Sequence, residues 1–239
     1  MFLRALTLAM TVLSVVLAST AAHAQSVCSS DGQVRPRAVR ERFLSAQCTD
    51  CWTATGSNLP GGTVALDWIV PSVDQGDEAP LSAAATRDSL ERLPPWGLTE
   101  EAVRQSTAAA LERDHPPATR QGRLRLALGQ AVNDYIGTSV QWQAPHKQVG
   151  QSLWLLLVEA LPAGTEGSPV PRLLVRNSLH QELPPSTKTP WKELRAMRIP
   201  EGAAPERLQL LGWVQDAGGR MLAISETVCK NAPDPGAGR

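Results

Sequence analysis

The chain has 239 residues, with 23 Lys and Arg against 23 Asp and Glu, and seven Trp beside only two Phe and one Tyr. That length suits one large domain or two small ones, with a core that needs no staples to form. The charge is balanced and no run of Lys and Arg occurs, so the linear sequence marks neither a nucleic-acid surface nor an anionic-lipid surface.

The first element in chain order is a leader. Arg4 supplies a short positive start, an apolar run spans about Ala5 to Leu17, and small residues end in Ala22-His23-Ala24. This is the layout of a secretory signal peptide, 1–24, with cleavage predicted after Ala24. The run is shorter than the roughly 20 apolar residues that a spanning helix needs, and no later stretch is long enough either. The mature chain is therefore expected to have no membrane span and to be periplasmic or secreted. Cleavage removes Arg4 and no acid, and it leaves all four cysteines, Cys28, Cys48, Cys51 and Cys229, where disulfides persist.

Residues 25–36 read as an irregular lead-in with a Ser-Ser-Asp-Gly turn and Pro36. AVRERFLSAQ fits a strand or a helix, and periodicity does not choose. After Cys48-x-x-Cys51, WTATGSNLPGG holds at most about two helical turns before Gly56, Pro60 and the Gly61-Gly62 pair stop it. TVALDWIVPS is a strand ended by Pro71, and VDQGDEAP is a polar loop. LSAAATRDSLERL predicts a helix closed by Pro94-Pro95. LTEEAVRQSTAAALERD predicts another, with Thr99 as N-cap and Pro116-Pro117 as its stop.

Beyond residue 117 the pattern changes. RLRLALGQAV and TSVQWQA alternate, and SLWLLLVEAL is a continuous apolar run, as in a strand covered on both faces. PRLLVRNSLHQEL and Trp191 to Ile199 are further strand candidates. RLQLLGWVQDAGGRMLAISETVC closes as a hairpin turning at Asp216-Ala217-Gly218-Gly219. The tail KNAPDPGAGR, 230–239, reads as disordered. The pattern thus predicts an α/β segment at roughly 37 to 115 and a mostly antiparallel β segment at roughly 120 to 229.

The cysteines carry the chemistry. Four cysteines in an oxidising compartment suggest two disulfides with three possible connectivities. Cys28 and Cys229 stand near the ends of the mature chain, and a bridge between them would stabilise by about 4 to 5 kcal/mol in the chain-entropy treatment. The preferred pairing is Cys28–Cys229 with Cys48–Cys51, with a crossed, purely structural arrangement left open. At a helix start, Cys48 would be a nucleophile whose thiolate is favoured by free N–H groups, and Cys51 would resolve the mixed disulfide. A structural zinc site wants four ligands at familiar spacings, and His115, His146 and His180 are scattered, so no metal ligands are assigned.

In order, SAQCTDCW, TVALDWIVPSVDQGDEAP, LWLLLVEALP, LVRNSLHQEL with Trp191 beyond it, and LQLLGWVQDAGGRMLAIS resemble a bacterial secreted thioredoxin-like family, catalogued as domain of unknown function 1223. The resemblance implies a thioredoxin-like segment over 25–116 and a β-rich segment over 117–229. It places Cys48 and Cys51 on the two motif cysteines, after Ser45-Ala46-Gln47, and Asn177 with the Leu211-to-Ala223 hairpin in the C-terminal half. It brings no established reaction. Trp52 and Thr53 stand where that family has two prolines, and no proline has a convincing setting to dock a substrate strand against the dithiol.

Other residues offer weaker chemistry. Asp67, beside Trp68, could shuttle protons for a dithiol, although an exposed acid at a strand edge is the commoner case. Trp96, Trp142, Trp154, Trp191 and Trp213 could line a groove, but a chain this poor in Phe and Tyr needs them as core. Asp74, Asp77 and Glu78 lack calcium-loop spacing and read as a solvated loop. No hydrolase, nucleotide-binding or metalloprotease pattern occurs, and no cofactor is implied. The expectation is a secreted, disulfide-stapled, non-catalytic envelope protein with an unknown protein partner and no nucleic acid. A thiol–disulfide oxidoreductase is the alternative, and a metal-handling protein a weaker one.

Overall fold

A computed structural model describes residues 28–55 and 58–229. The predicted signal peptide 1–24 with its cleavage residue Ala24, the expected helix stop at Gly56 and the predicted tail 230–239 lie outside the described residues. The chain begins with β1 (Cys28–Ser29), β2 (Ala38–Ser45), α1 (Thr49–Thr53) and β3 (Thr63–Val70). Then come α2 (Asp88–Arg92), α3 (Glu100–Gln105) and β4 (Leu111–Asp114). Eight more strands follow: β5 (Arg123–Val132), β6 (Tyr135–Gln143), β7 (Ser152–Leu161), β8 (Arg172–Glu182), β9 (Trp191–Arg198), β10 (Leu208–Gln215), β11 (Met221–Glu226) and β12 (Val228–Cys229).

The strands form two sheets. One has five strands in the order β12-β1-β5-β6-β9, all antiparallel. The other has seven in the order β11-β10-β7-β8-β3-β2-β4, and only the β2–β3 and β3–β8 pairs are parallel. Strands from both sides of residue 117 share this larger sheet.

The thioredoxin-like α/β expectation is therefore corrected: the protein is mostly β. A thioredoxin-like segment needs helices long enough to cover both faces of a central sheet. Here α1, α2 and α3 have only 5, 5 and 6 residues. The predicted helix at 98–114 stops at Gln105, where Ser106 leaves helical geometry (φ −82°, ψ 89°). Its Leu111–Asp114 end instead pairs antiparallel with β2 as an edge strand. The predicted helix at 81–93 survives as a single 3₁₀ turn and α2.

One face of the larger sheet is covered by the other sheet, and the opposite face by the helical segments. SLWLLLVEAL shows the consequence. Leu153, Leu155 and Leu157 enter the core between the sheets. Trp154, Leu156 and Val158 enter the core beneath Leu93, Leu98 and Val103. A strand with two buried faces has no reason to alternate. β5 has one buried face, so Leu124, Leu126 and Leu128 point inward and Arg123 and Arg125 outward.

Two buried ion networks tie the layers together. Glu41 on β2 accepts from Arg92 (2.5 and 2.8 Å) and from Trp96 Nε1 (3.2 Å), and His115 Nε2 lies 2.5 Å from the same carboxylate. Burial pushes the Glu41 carboxyl up, but His115 and Arg92 outweigh it and bring the pKa down to about 2. The Arg92 guanidinium also lies 4.5 Å from the Trp154 ring centre. On β7, buried Glu159 is paired with Arg176 and Arg207, each at 2.6 Å.

Candidate functional site

The candidate site is built at the end of β2. Cys48 N donates to Ser45 O (2.9 Å), which turns the chain into α1. Cys48 is the N-cap, and its sulfur accepts from Cys51 N at 3.1 Å. Asp50 sits in the first turn. Ala54 is extended (φ −64°, ψ 142°), and the helix ends there. The last carbonyls find a cation: Arg172 donates to Trp52 O and to Ala54 O (2.9 Å). Its guanidinium also lies 4.6 Å from the Trp52 ring centre. Trp52 Nε1 donates to Glu166 O at 2.7 Å, so the β7–β8 connection closes over the helix.

Cys48 and Cys51 are joined to each other, and Cys28 is joined to Cys229. The second bridge links β1 to β12, where Cys28 and Cys229 face each other in register. Cys48 is 5 % exposed and Cys51 1 %. The segment after α3 lies against both sulfurs: Thr107 O is 3.1 Å from Cys48 Sγ, and Ser106 O is 3.6 Å from Cys51 Sγ. A disulfide sulfur has no proton to donate, so these are close contacts rather than hydrogen bonds. A cleft of about 380 Å³ opens beside Cys48, lined by Ser45, Gln47, Asp50, Arg104 and Thr107 among others. Arg104 offers it no free charge, because it is paired with Asp74 (2.5 Å) and Glu101.

Asp67 is not an exposed edge acid. It lies on the third strand from the sheet edge, 1 % exposed, with Arg42 at 3.3 Å and Arg172 at 3.4 Å. Burial raises its carboxyl above the ordinary range, against the lowering effect of both arginines. Arg172 thus links Asp67 to the α1 carbonyls. Arg42 and Arg172 were not singled out from the sequence. Their one signal there is an arginine inside or heading an otherwise apolar strand.

The remaining candidates fall apart in space. Trp142, Trp154 and Trp213 are buried in core, and Trp96 and Trp191 are partly buried beside it. Asp74, Asp77 and Glu78 are exposed. His115 belongs to the Glu41 network, and His180 stacks on Trp154 (4.3 Å). Among the described residues no group of three or more His, Cys, Asp or Glu is placed to hold a metal ion. No described helix is long and apolar enough to cross a membrane.

No protein-family model matches this sequence, and no curated protein matches it. Among solved structures, a protein from Agrobacterium tumefaciens is similar, with a TM-score of 0.43, 12 % identity, and coverage of 84 % of this chain and 98 % of that one. HBP35 of Porphyromonas gingivalis gives 0.41 and 10 %, over 87 % and 79 %. An endonuclease/exonuclease/phosphatase from Beutenbergia cavernae gives 0.28 and 14 %, over 51 % and 32 %. All three TM-scores lie below 0.5, and none of these likenesses bears on the fold or activity of this chain.

Proposed function

We propose that this is a secreted or periplasmic envelope protein in which the Cys48–Cys51 bridge is structural and the protein acts by binding rather than by catalysis. One observation carries this: both cysteines are buried, and the Ser106 and Thr107 carbonyls lie against their sulfurs. A nucleophile must present its sulfur to a substrate disulfide, and here the two cysteines are buried with carbonyl oxygens packed 3.1 and 3.6 Å from their sulfurs. The family resemblance in the sequence adds no reaction. A thiol–disulfide oxidoreductase is the second reading, favoured by the Cys48 N-cap position and the Cys51 N–H directed at its sulfur.

The test is the reduction potential of Cys48–Cys51, measured with alkylation of the reduced native protein. The structural reading expects a potential below about −300 mV and a Cys48 that reacts only on unfolding. A potential in the range of known oxidoreductases, with fast alkylation of Cys48 in the folded state, establishes the second reading instead.

A further inference from the structure

No basic run exists in the sequence, yet the fold makes one. Residues 30–37 and 118–126 are remote in sequence and are joined to each other by hydrogen bonds at both ends. At one end Ser30 N donates to Leu126 O (3.0 Å), and Leu126 N donates to Ser30 Oγ (2.9 Å). At the other end Ala118 N donates to Arg37 O (2.8 Å). The two anchors are no more than about 27 Å apart, since eight residues separate them along one chain. Between them lie Arg35, Arg37, Arg120, Arg123 and Arg125.

These five cations meet one acid. Asp31 pairs with Arg125 and lies 3.8 Å from Arg123. Asp114, four residues before Ala118, is held by Arg40 at 2.6 Å. Among the described residues no acid pairs with Arg35, Arg37 or Arg120, and all three are exposed. A near-neutral protein has thus concentrated net positive charge on one strip. Val34, in the middle of the same strip, is 91 % exposed. An apolar side chain held fully in water beside free guanidinium groups is what an anionic interface rewards. The cations meet headgroup phosphates while the apolar tip enters the headgroup layer.

We propose that the strip formed by residues 30–37 and 118–126 docks this protein peripherally on an anionic phospholipid surface. A soluble polyanion would satisfy the arginines but leave Val34 in water. Docking on lipid is independent of the redox state of Cys48–Cys51 and so goes beyond the functional reading above.

Co-sedimentation of the protein, recovered from a secreting host, with two vesicle preparations tests this. One contains equal parts of phosphatidylglycerol and phosphatidylcholine, and the other phosphatidylcholine alone. Binding to the first only is expected, weakening as salt shortens the screening length. Arg35→Glu/Arg37→Glu/Arg120→Glu is expected to weaken it by at least about tenfold. Arg87→Glu/Arg198→Glu, at the start of α2 and at the end of β9 paired with Tyr135, both far from Arg37 and Arg125, is expected to leave it within about twofold. Equal binding to both vesicles, an equal loss in the Arg87→Glu/Arg198→Glu variant, or binding to inorganic polyphosphate without binding to the phosphatidylglycerol vesicles would overturn the proposal.

Discussion

The carbonyl oxygen of Thr107 lies 3.1 Å from Sγ of Cys48, and both residues line the cleft. In the disulfide this is a packing contact. In the reduced protein the Cys48 thiol has an acceptor there for its proton, and a thiolate would meet a carbonyl dipole pointing at it. The Cys51 N–H opposes this, and one such hydrogen bond contributes about 1 kcal/mol. Desolvation of a buried anion is larger, at several kcal/mol. Cys48 of the reduced, folded protein is therefore expected to be alkylated far more slowly than in the unfolded chain. The ratio of the two alkylation rates measures this, and equal rates would contradict it.

The two bridges should differ in what they contribute. Cys28 and Cys229 are 201 residues apart, Cys48 and Cys51 only 3. Loop-closure entropy assigns about 5 kcal/mol to the first and about 2 kcal/mol to the second. Cys28→Ser/Cys229→Ser is thus expected to lower the denaturant midpoint much more than Cys48→Ser/Cys51→Ser. Equal losses would show that the short bridge holds tertiary packing rather than only its own turn.

Glu41 and Asp67 should make stability depend on acid in opposite directions. The Glu41 pKa is depressed to about 2, so its contribution is present above the unfolded carboxyl value and is lost as pH falls from about 4.5 toward 2. The Asp67 pKa is raised, so its contribution is present at low pH and is lost as pH rises through the folded value. Glu41→Gln should therefore flatten the acid limb of the stability curve, and Asp67→Asn should steepen it. Chemical denaturation across that range reads both slopes. Identical slopes in wild type and Glu41→Gln would show that the Arg92 pair does not set the acid sensitivity.

Arg172 holds α1 from below. Arg172→Met leaves Asp67 with one cation instead of two, and the Trp52 and Ala54 carbonyls without a donor. Breaking a buried pair in this way costs about 3–5 kcal/mol. Asp67→Leu/Arg172→Met is expected to recover part of that loss, because it also removes the buried carboxylate that the single variant leaves with Arg42 alone. Thermal unfolding of the single and double variants decides this. A double variant no better than Arg172→Met would place the whole cost in the helix carbonyls.

Strand positions were the most legible part of this chain. Alternation along Arg123–Val132 marks one buried face, and the unbroken run Ser152–Leu161 marks two. Both patterns arise from the period of the strand itself. Helix length was not legible. LTEEAVRQSTAAALERD has the cap, the acids and the alanines of a helix of several turns, and Thr99 does cap α3 through Ala102 N at 3.1 Å. Its C-terminal end is taken by β2, whose edge offers backbone partners that local propensity cannot weigh. The thioredoxin-like expectation failed for the same reason, because it required helical layers where a second sheet packs.

At the site, the sequence by itself determined the spacing of Cys48 and Cys51 and the residues around them. Spacing states which sulfurs are neighbours, and nothing about what faces them. Only the tertiary structure decided that the Ser106 and Thr107 carbonyls lie on the sulfurs, that Arg172 holds the α1 carbonyls, and that Asp67 is buried between two arginines. Likewise it alone assembled Arg35, Arg37, Arg120, Arg123 and Arg125 into one strip. The physical reason is common to all of these. Burial, pairing and surface charge are properties of groups close in space, and the strands that bring these groups together are distant along the chain.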